Sequence, residues 1–266
     1  MFFSNTESFP AGLFSPHKTI RMKRHIPNCI TCCNLISGCV ATVCALSGDP
    51  KAAFVWIVIG AVFDFFDGLT ARLLGVSSPI GKELDSLADD VTFGVAPSAI
   101  VFGLLCVMDY PAFVDGLSVC GLPIRRILPY AAFVMAAFSA LRLAKFNLDE
   151  RQTTSFIGLP TPANALFWAS LATGGGALFG TSWALPVTLL LLCLSCWLLV
   201  SEVPMFALKF KHWGWKGNEI KYIFVLSCIP LLLLLKWAAF AVIIAWYVVL
   251  SILSIKRSPS TKNIDD

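Results

Sequence analysis

An all-α membrane protein, a polytopic helical bundle of about eight transmembrane helices in one domain, is the fold class this sequence predicts. Three observations predict it. Of 266 residues, 57% are hydrophobic and only 14% charged, and the mean hydropathy of +0.78 lies well outside the range of soluble globular chains. The apolar residues gather in runs around 28–47, 52–74, 79–107, 126–148, 162–179, 183–203, 219–235 and 237–255, each near the roughly 20 residues that cross about 30 Å of hydrocarbon as a helix. The basic residues also sort by loop. Sixteen of the 20 Lys and Arg fall on one side of such a bundle, leaving Lys51, Arg125, Arg126 and Lys236 on the other. The basic side is the cytoplasmic one, so both termini are expected in the cytoplasm. The net charge of +4 is this asymmetry summed and calls for no nucleic-acid partner.

Residues 1–25 are mixed and basic, with Lys18, Arg21, Lys23 and Arg24, and lack an apolar core followed by a small-residue cleavage site. They read as a juxtamembrane collar beside anionic headgroups and not as a cleaved signal. Residues 26–257 then form the membrane domain and 258–266 a polar cytoplasmic tail. In the first run Asn28, Thr31 and Asn34 recur every three residues and make a polar ridge on an apolar helix. Such a ridge either hydrogen-bonds neighbouring helices or walls a polar site.

The second and third runs carry the densest chemistry. Asp64 and Asp67 are three residues apart and Asp85 and Asp89 four apart, so at about 100° per residue each pair shares a helical face. Two such helices facing each other bring four carboxylates to one point. That arrangement demands protonation or bound divalent cations. If the second helix enters from the outside near Lys51, Asp64 and Asp67 lie about 20 and 24 Å along it, at headgroup depth on the cytoplasmic side. Gly75 ends that helix, and Ser78-Pro79 is an N-cap followed by proline in the first turn of the next. The free N–H groups of the new helix then face the carboxylate region, a ready phosphate site. Gly68, Ala71 and Gly81 serve either close helix packing or open space for a ligand. Asp90 is rotated about 140° from Asp85, against about 40° for Asp89, and so faces away from the cluster.

Ten cysteines include Cys29-x-x-Cys32 and Cys193-x-x-Cys196, which have metal-ligand spacing. Both pairs fall inside apolar runs with no histidine nearby, so they read as small packing residues. The fourth run ends with Arg142 and Lys145 on one helical face, placed either to snorkel toward headgroups or to hold an anionic group. Gly158-Leu-Pro-Thr-Pro162 starts the fifth, and the Lys- and Trp-rich loop 202–221 is interfacial in character.

Asp64-x2-Asp67-Gly68-x2-Ala71-Arg72-x8-Gly81-x3-Asp85-x3-Asp89 resembles the signature of the CDP-alcohol phosphatidyltransferases at every fixed position. The stretches Ile26–Leu35, Ser86–Pro97, Arg142–Asn147, Gly158–Pro162 and Val203–Lys209 resemble those members whose acceptor alcohol is L-serine. The resemblance implies a homodimer with six core helices, to which this chain adds two, a CDP-diacylglycerol donor, release of CMP, and Mg²⁺ or Mn²⁺, two per active site. Carried over by position, it makes Asp64, Asp67, Asp85 and Asp89 metal ligands and Asp89 also the general base. Gly68, Ala71, Arg72, Ser78 and Gly81 would contact CDP-diacylglycerol, helped by Asn28, Thr31 and Asn34. Arg142 and Lys145 are the candidates for binding serine. Residue chemistry alone leaves glycerol 3-phosphate or inositol phosphate open as acceptors. It also leaves a cation-coupled transporter, although carboxylates crowded at one membrane face instead of the midplane speak against that class.

The orientation is testable without knowledge of activity. A reporter fused after Asp266, and one inserted at Gln152, should both report the cytoplasm. An external signal at either position would overturn the assignment made from the basic residues.

Overall fold

The computed structural model describes residues 25–148, 156–181, 183–205, 214 and 218–257. The collar residues 1–24, Arg151, most of the 202–221 loop and the tail 258–266 lie outside the described residues. Helix α1 (His25–Leu46) turns through Gly48, at φ +80°, into α2 (Pro50–Leu74). Asp49 caps α2 by accepting from Ala52 N–H at 2.9 Å, and Pro50 fills a first-turn position where no N–H is missed. Gly75 ends α2 in the left-handed conformation, φ 60° and ψ 32°, its N–H returning to the carbonyls of Ala71 and Arg72. Ser78 then caps α3 (Pro79–Val107), its Oγ accepting from Gly81 N–H at 3.0 Å.

Helix α3 is not a regular α-helix throughout, because Val91–Val95 form a π-helical turn directly after Asp89 and Asp90. The extra residue in that turn alters the helical phase between the acidic half of α3 and its apolar half. Thr92, at the start of the turn, is fully buried and donates from Oγ1 to the carbonyl of Asn34 at 3.0 Å. Its side chain fills space left by two glycines. A Cβ at Gly60 would meet Thr92 Cγ2 at 2.5 Å, and one at Gly38 would collide with Thr92 Oγ1. Helices α1, α2 and α3 therefore close on one another through a small-residue contact of the kind that lets membrane helices approach. Buried alanines of α1, α2, α3 and α5 continue that layer around Phe54, Ile57 and Phe93.

Helix α4 (Ile124–Leu148) tightens after its first turn into a 3-10 stretch at Leu128–Phe133, where Pro129 removes a backbone donor. Helices α5 (Thr161–Gly174) and α6 (Ala184–Val200) follow, fixed to each other by Trp168 Nε1 donating to Ser195 Oγ at 3.0 Å in a second buried layer. Two small antiparallel ladders lie in the connections. Strand β1 (Ser118–Val119) pairs with β2 (Leu122–Pro123), and β3 (Phe156–Ile157) pairs with β4 (Pro204–Met205) in the register Phe156 to Met205 and Ile157 to Pro204. Helices α7 (Glu219–Leu235) and α8 (Ala239–Arg257) fold back on each other at Lys236, bringing Phe224 within 5.8 Å of Tyr247. Ser170 of α5 holds this pair by donating to Trp237 O at 2.6 Å and accepting from Ala241 N–H at 2.9 Å.

Among the described residues, five helical stretches are long and apolar enough to cross a membrane, His25–Leu46, Pro50–Leu74, Pro79–Val107, Ile124–Leu148 and Glu219–Leu253, where eight spans are expected from the sequence. The difference lies in the second half of the chain. Helix α5 has 14 residues, short of a full crossing, and α6 has 17, at the lower end of the ~17–25 that cross. The last two expected spans follow each other through a 3-10 turn at Lys236–Ala238, where the chain reverses, so the single stretch Glu219–Leu253 contains two antiparallel helices.

The close approach of α2 to α3 yields a stability prediction. Gly60→Ala should destabilise the protein by about 1–3 kcal/mol through overpacking against Thr92. Adding Thr92→Ser, which removes Cγ2, should recover most of the loss in thermal unfolding of the detergent-solubilised protein. Additive losses in the double variant would show that the two positions do not touch.

Candidate active site

The three helices that meet at Thr92 also bring the acidic residues together. Carboxylate oxygens of Asp64 and Asp67 on α2 and Asp85 on α3 all lie within 4.8 Å of one another. Asp89 sits one turn further along α3, within electrostatic reach of Asp64, Asp85 and Asp67, and outside that closest group. Helix α1 supplies the neutral donors. Thr31 Oγ1, 3% exposed, donates to Asp67 Oδ2 at 2.6 Å, and fully buried Asn34 donates from Nδ2 to Asp89 Oδ1 at 3.1 Å. The polar ridge of α1 therefore bonds neighbouring helices and lines the acidic site at once.

Two hydroxyl and amide donors do not balance a cluster of carboxylates in an apolar bundle. Asp85 Oδ1 is buried and has no hydrogen-bond partner among the described residues, an arrangement that costs free energy unless a cation takes up the oxygen. The donor set is all carboxylate oxygen, which suits a hard divalent ion such as Mg²⁺ or Mn²⁺ and not zinc. Asp64, Asp67 and Asp85 therefore fit the metal that the sequence pattern implies.

Beside the acids opens a pocket of about 240 Å³, walled by Asn28 and Thr31 of α1, Asp67, Gly68 and Ala71 of α2, and Ser78, Gly81 and Asp85 around the start of α3. The two motif glycines differ in role. A Cβ at Gly68 would meet nothing within 4 Å, so its backbone is open to a ligand, whereas one at Gly81 would meet Ser78 Oγ at 3.0 Å and Asn28 Oδ1 at 3.1 Å. Gly68 thus supplies access and Gly81 close packing of α3 on α1. Arg72 is exposed, donates from Nε to Gly68 O at 3.0 Å and does not line the pocket. The cation that does is Lys82, whose Nζ also donates to Asn147 O at 2.9 Å. Its place in the first turn of α3, next to Gly81, was the signal in the sequence.

Arg142 and Lys145 part company in the fold. Arg142 is 8% exposed, faces Asp89 closely enough to feel its charge, and has no partner for Nε among the described residues. Lys145 is exposed. Asn147, five residues on from Arg142, donates from Nδ2 to Ser86 Oγ at 2.8 Å and ties α4 to the acidic half of α3. Asp90 points away from the acid cluster toward Gly94 and Ser139.

The chain matches the family model described as CDP-alcohol phosphatidyltransferase over residues 24–200. It is similar to curated proteins named CDP-diacylglycerol–serine O-phosphatidyltransferase from three distant sources. The protein of Bacillus subtilis (strain 168) is 36% identical over 148 residues, 52% of this chain and 70% of the relative. That of Mycobacterium leprae (strain TN) is 33% identical over 192 residues, 68% of this chain and 57% of the relative. That of Saccharomyces cerevisiae (strain ATCC 204508 / S288c) is 34% identical over 163 residues, 55% of this chain and 52% of the relative. The match thus spans from about half to seven-tenths of these relatives' lengths. With a family model covering the four aspartates, both glycines and the helices that hold them, the chain belongs to the CDP-alcohol phosphatidyltransferase family.

Proposed function

We propose that this protein transfers the phosphatidyl group of CDP-diacylglycerol to the hydroxyl of L-serine, giving phosphatidylserine and CMP. The observation that carries the reading is the convergence of Asp64, Asp67 and Asp85 at the wall of a pocket with open Gly68 backbone and the capped start of α3. Serine as acceptor is supported by the printed names of the relatives, and the donor by the family. Mg²⁺ or Mn²⁺, held by Asp64, Asp67, Asp85 and Asp89, would neutralise charge on the pyrophosphate oxygens in the transition state.

The residues of the chain supply binding, position and proton transfer. Gly68, Ala71, Ser78 and Gly81 contact the CDP group, with Asn28, Thr31 and Asn34 closing the α1 side, while Arg72, held to Gly68 O outside the pocket, would reach it only by turning inward. The N–H groups at the start of α3 favour phosphate there. The serine oxygen attacks the phosphorus that bears the diacylglycerol. The P–O bond to CMP breaks, CMP leaves with the bonding electron pair, and the serine proton passes to Asp89. Asn34 orients Asp89 for that role through its 3.1 Å hydrogen bond. Arg142, buried beside Asp89, lies on the acceptor side, and the exposed Lys145 does not share that position. The lipid tails stay in the bilayer while the headgroup reaches a site facing the cytoplasm, and two copies of the chain form a homodimer.

Two outcomes follow for the purified protein. Activity should vanish in chelator and return with Mg²⁺ or Mn²⁺, and Asp67→Asn should lose both transfer of labelled phosphatidyl groups and most Mn²⁺ binding by paramagnetic resonance. Full activity in chelator would sink the metal site. Asp89→Asn should lower kcat at least ~100-fold, the scale of a lost general base, while CDP affinity falls much less. A loss confined to CDP affinity would remove Asp89 from the proton transfer.

A further inference from the structure

The connection between α3 and α4 carries an apolar surface that the transfer site does not use. Helix α3 holds Asp85 and Asp89 near its start and runs on to Val107. From Asp89 to Val107 it rises about 27 Å, nearly the thickness of the hydrocarbon layer. Residues 108–123 therefore lie at the membrane face opposite the acids. Within them β1 and β2 join through Cys120 and Gly121, at φ 50° and 77°, the left-handed pair whose twist matches that of a tight hairpin.

The register of this hairpin sorts its side chains. Val119 pairs with Leu122 and Ser118 with Pro123, and Ile124 N–H donates to Leu117 O at 2.9 Å, which sets Leu117 opposite Ile124. Paired residues share a face, and successive residues alternate between faces. One face is therefore Leu117, Val119, Leu122 and Ile124, and the other is Ser118 and Pro123. On the apolar face Leu117, Val119 and Leu122 remain 54%, 49% and 50% exposed among the described residues. A two-stranded hairpin is marginally stable in water, and an aliphatic face of this kind marks a surface that something else covers.

The surroundings identify the cover. Arg125, at the base of the hairpin, is engaged within the connection, 3.9 Å from Asp115 Oδ1 and 5.5 Å over the Tyr110 ring. Its neighbour Arg126 is exposed and in no ion pair among the described residues. Tyr130, 62% exposed, lies against Phe102 of α3 with ring centroids 5.2 Å apart. Aliphatic side chains flanked by an exposed aromatic ring and an exposed cation suit the headgroup boundary, where apolar groups enter the acyl layer and Arg meets lipid phosphate. The two helices that the hairpin joins cross the same bilayer, so that boundary is beside it throughout. We propose that the hairpin Leu117–Ile124 lies on the bilayer leaflet opposite the acids. Its Leu117, Val119, Leu122 and Ile124 face enters the acyl boundary, Arg126 sits at the lipid phosphates, and the far ends of α3 and α4 are thereby anchored at a fixed depth.

The test places the photoreactive residue p-benzoylphenylalanine at Val119, Leu122 or Ser118 of the full chain, held in nanodiscs of phosphatidylcholine and phosphatidylglycerol. Cross-linked products are read by mass spectrometry after illumination. Lipid adducts should form at Val119 and Leu122 at least about fivefold more than at Ser118, because neighbouring residues of a strand face opposite ways. Leu117 replaces either apolar position where the altered protein shows a lowered Tm. Adducts from chain to chain at Val119 and Leu122 would make this face an interface between two copies and overturn the proposal. Equal lipid yields at Ser118 and Val119, or no lipid adduct at any apolar position while Tm is unchanged, would overturn it as well.

Discussion

Mutual repulsion among the carboxylates is the constraint on which the rest of this structure depends. Asp64, Asp67 and Asp85 have oxygens within 4.8 Å of one another, with Asp89 one turn away, in a chain that is 57% hydrophobic. Such a cluster is costly in a low-dielectric bundle, and it persists only where packing elsewhere holds the helices together. That packing is the contact of Thr92 with Gly38 and Gly60, where missing side chains let three helices close within one residue's width. Among the described residues, no cation is paired with these acids.

The same contact orients the site. Helix α1 contributes neutral donors, Thr31 to Asp67 and Asn34 to Asp89, that position carboxylates without neutralising them. Strong internal ion pairs would satisfy the acids and remove their affinity for a cation. The one ion pair among the described residues, Arg125 with Asp115 at 3.9 Å, lies far along the chain in the connection between α3 and α4. The acidic cluster is thus left to an external cation, and the pocket beside it to an anionic ligand.

The π turn at Val91–Val95 separates two environments along one helix. Before it, Asp85 and Asp89 face α1 and α2. At it, Asp90 faces α4 across Gly94. One helix thereby serves a pocket on one side and packs buried polar groups against α4 on the other, with Asp89 in reach of Arg142. Transfer between two substrates needs such a boundary residue, because the reacting groups must meet while their remaining parts stay apart.

Much of this was legible in the sequence. Hydropathy determined a helical membrane bundle, since apolar runs of this length must satisfy their backbone internally. Spacing placed the paired aspartates on shared faces and Asp90 on another, because helical periodicity is local. Gly75 and Ser78-Pro79 marked the break between α2 and α3, because caps are local too. Apolar length alone does not separate a short helix such as α5 from a full crossing, nor fix where a hairpin such as α7–α8 turns. Tertiary structure alone decided that Gly68 is open and Gly81 tight, that Lys82 and not Arg72 lines the pocket, and that Arg142 is buried while Lys145 is exposed. Each of these depends on what a neighbouring helix places opposite the residue, and spacing along one helix carries no information about the depth or rotation of the next.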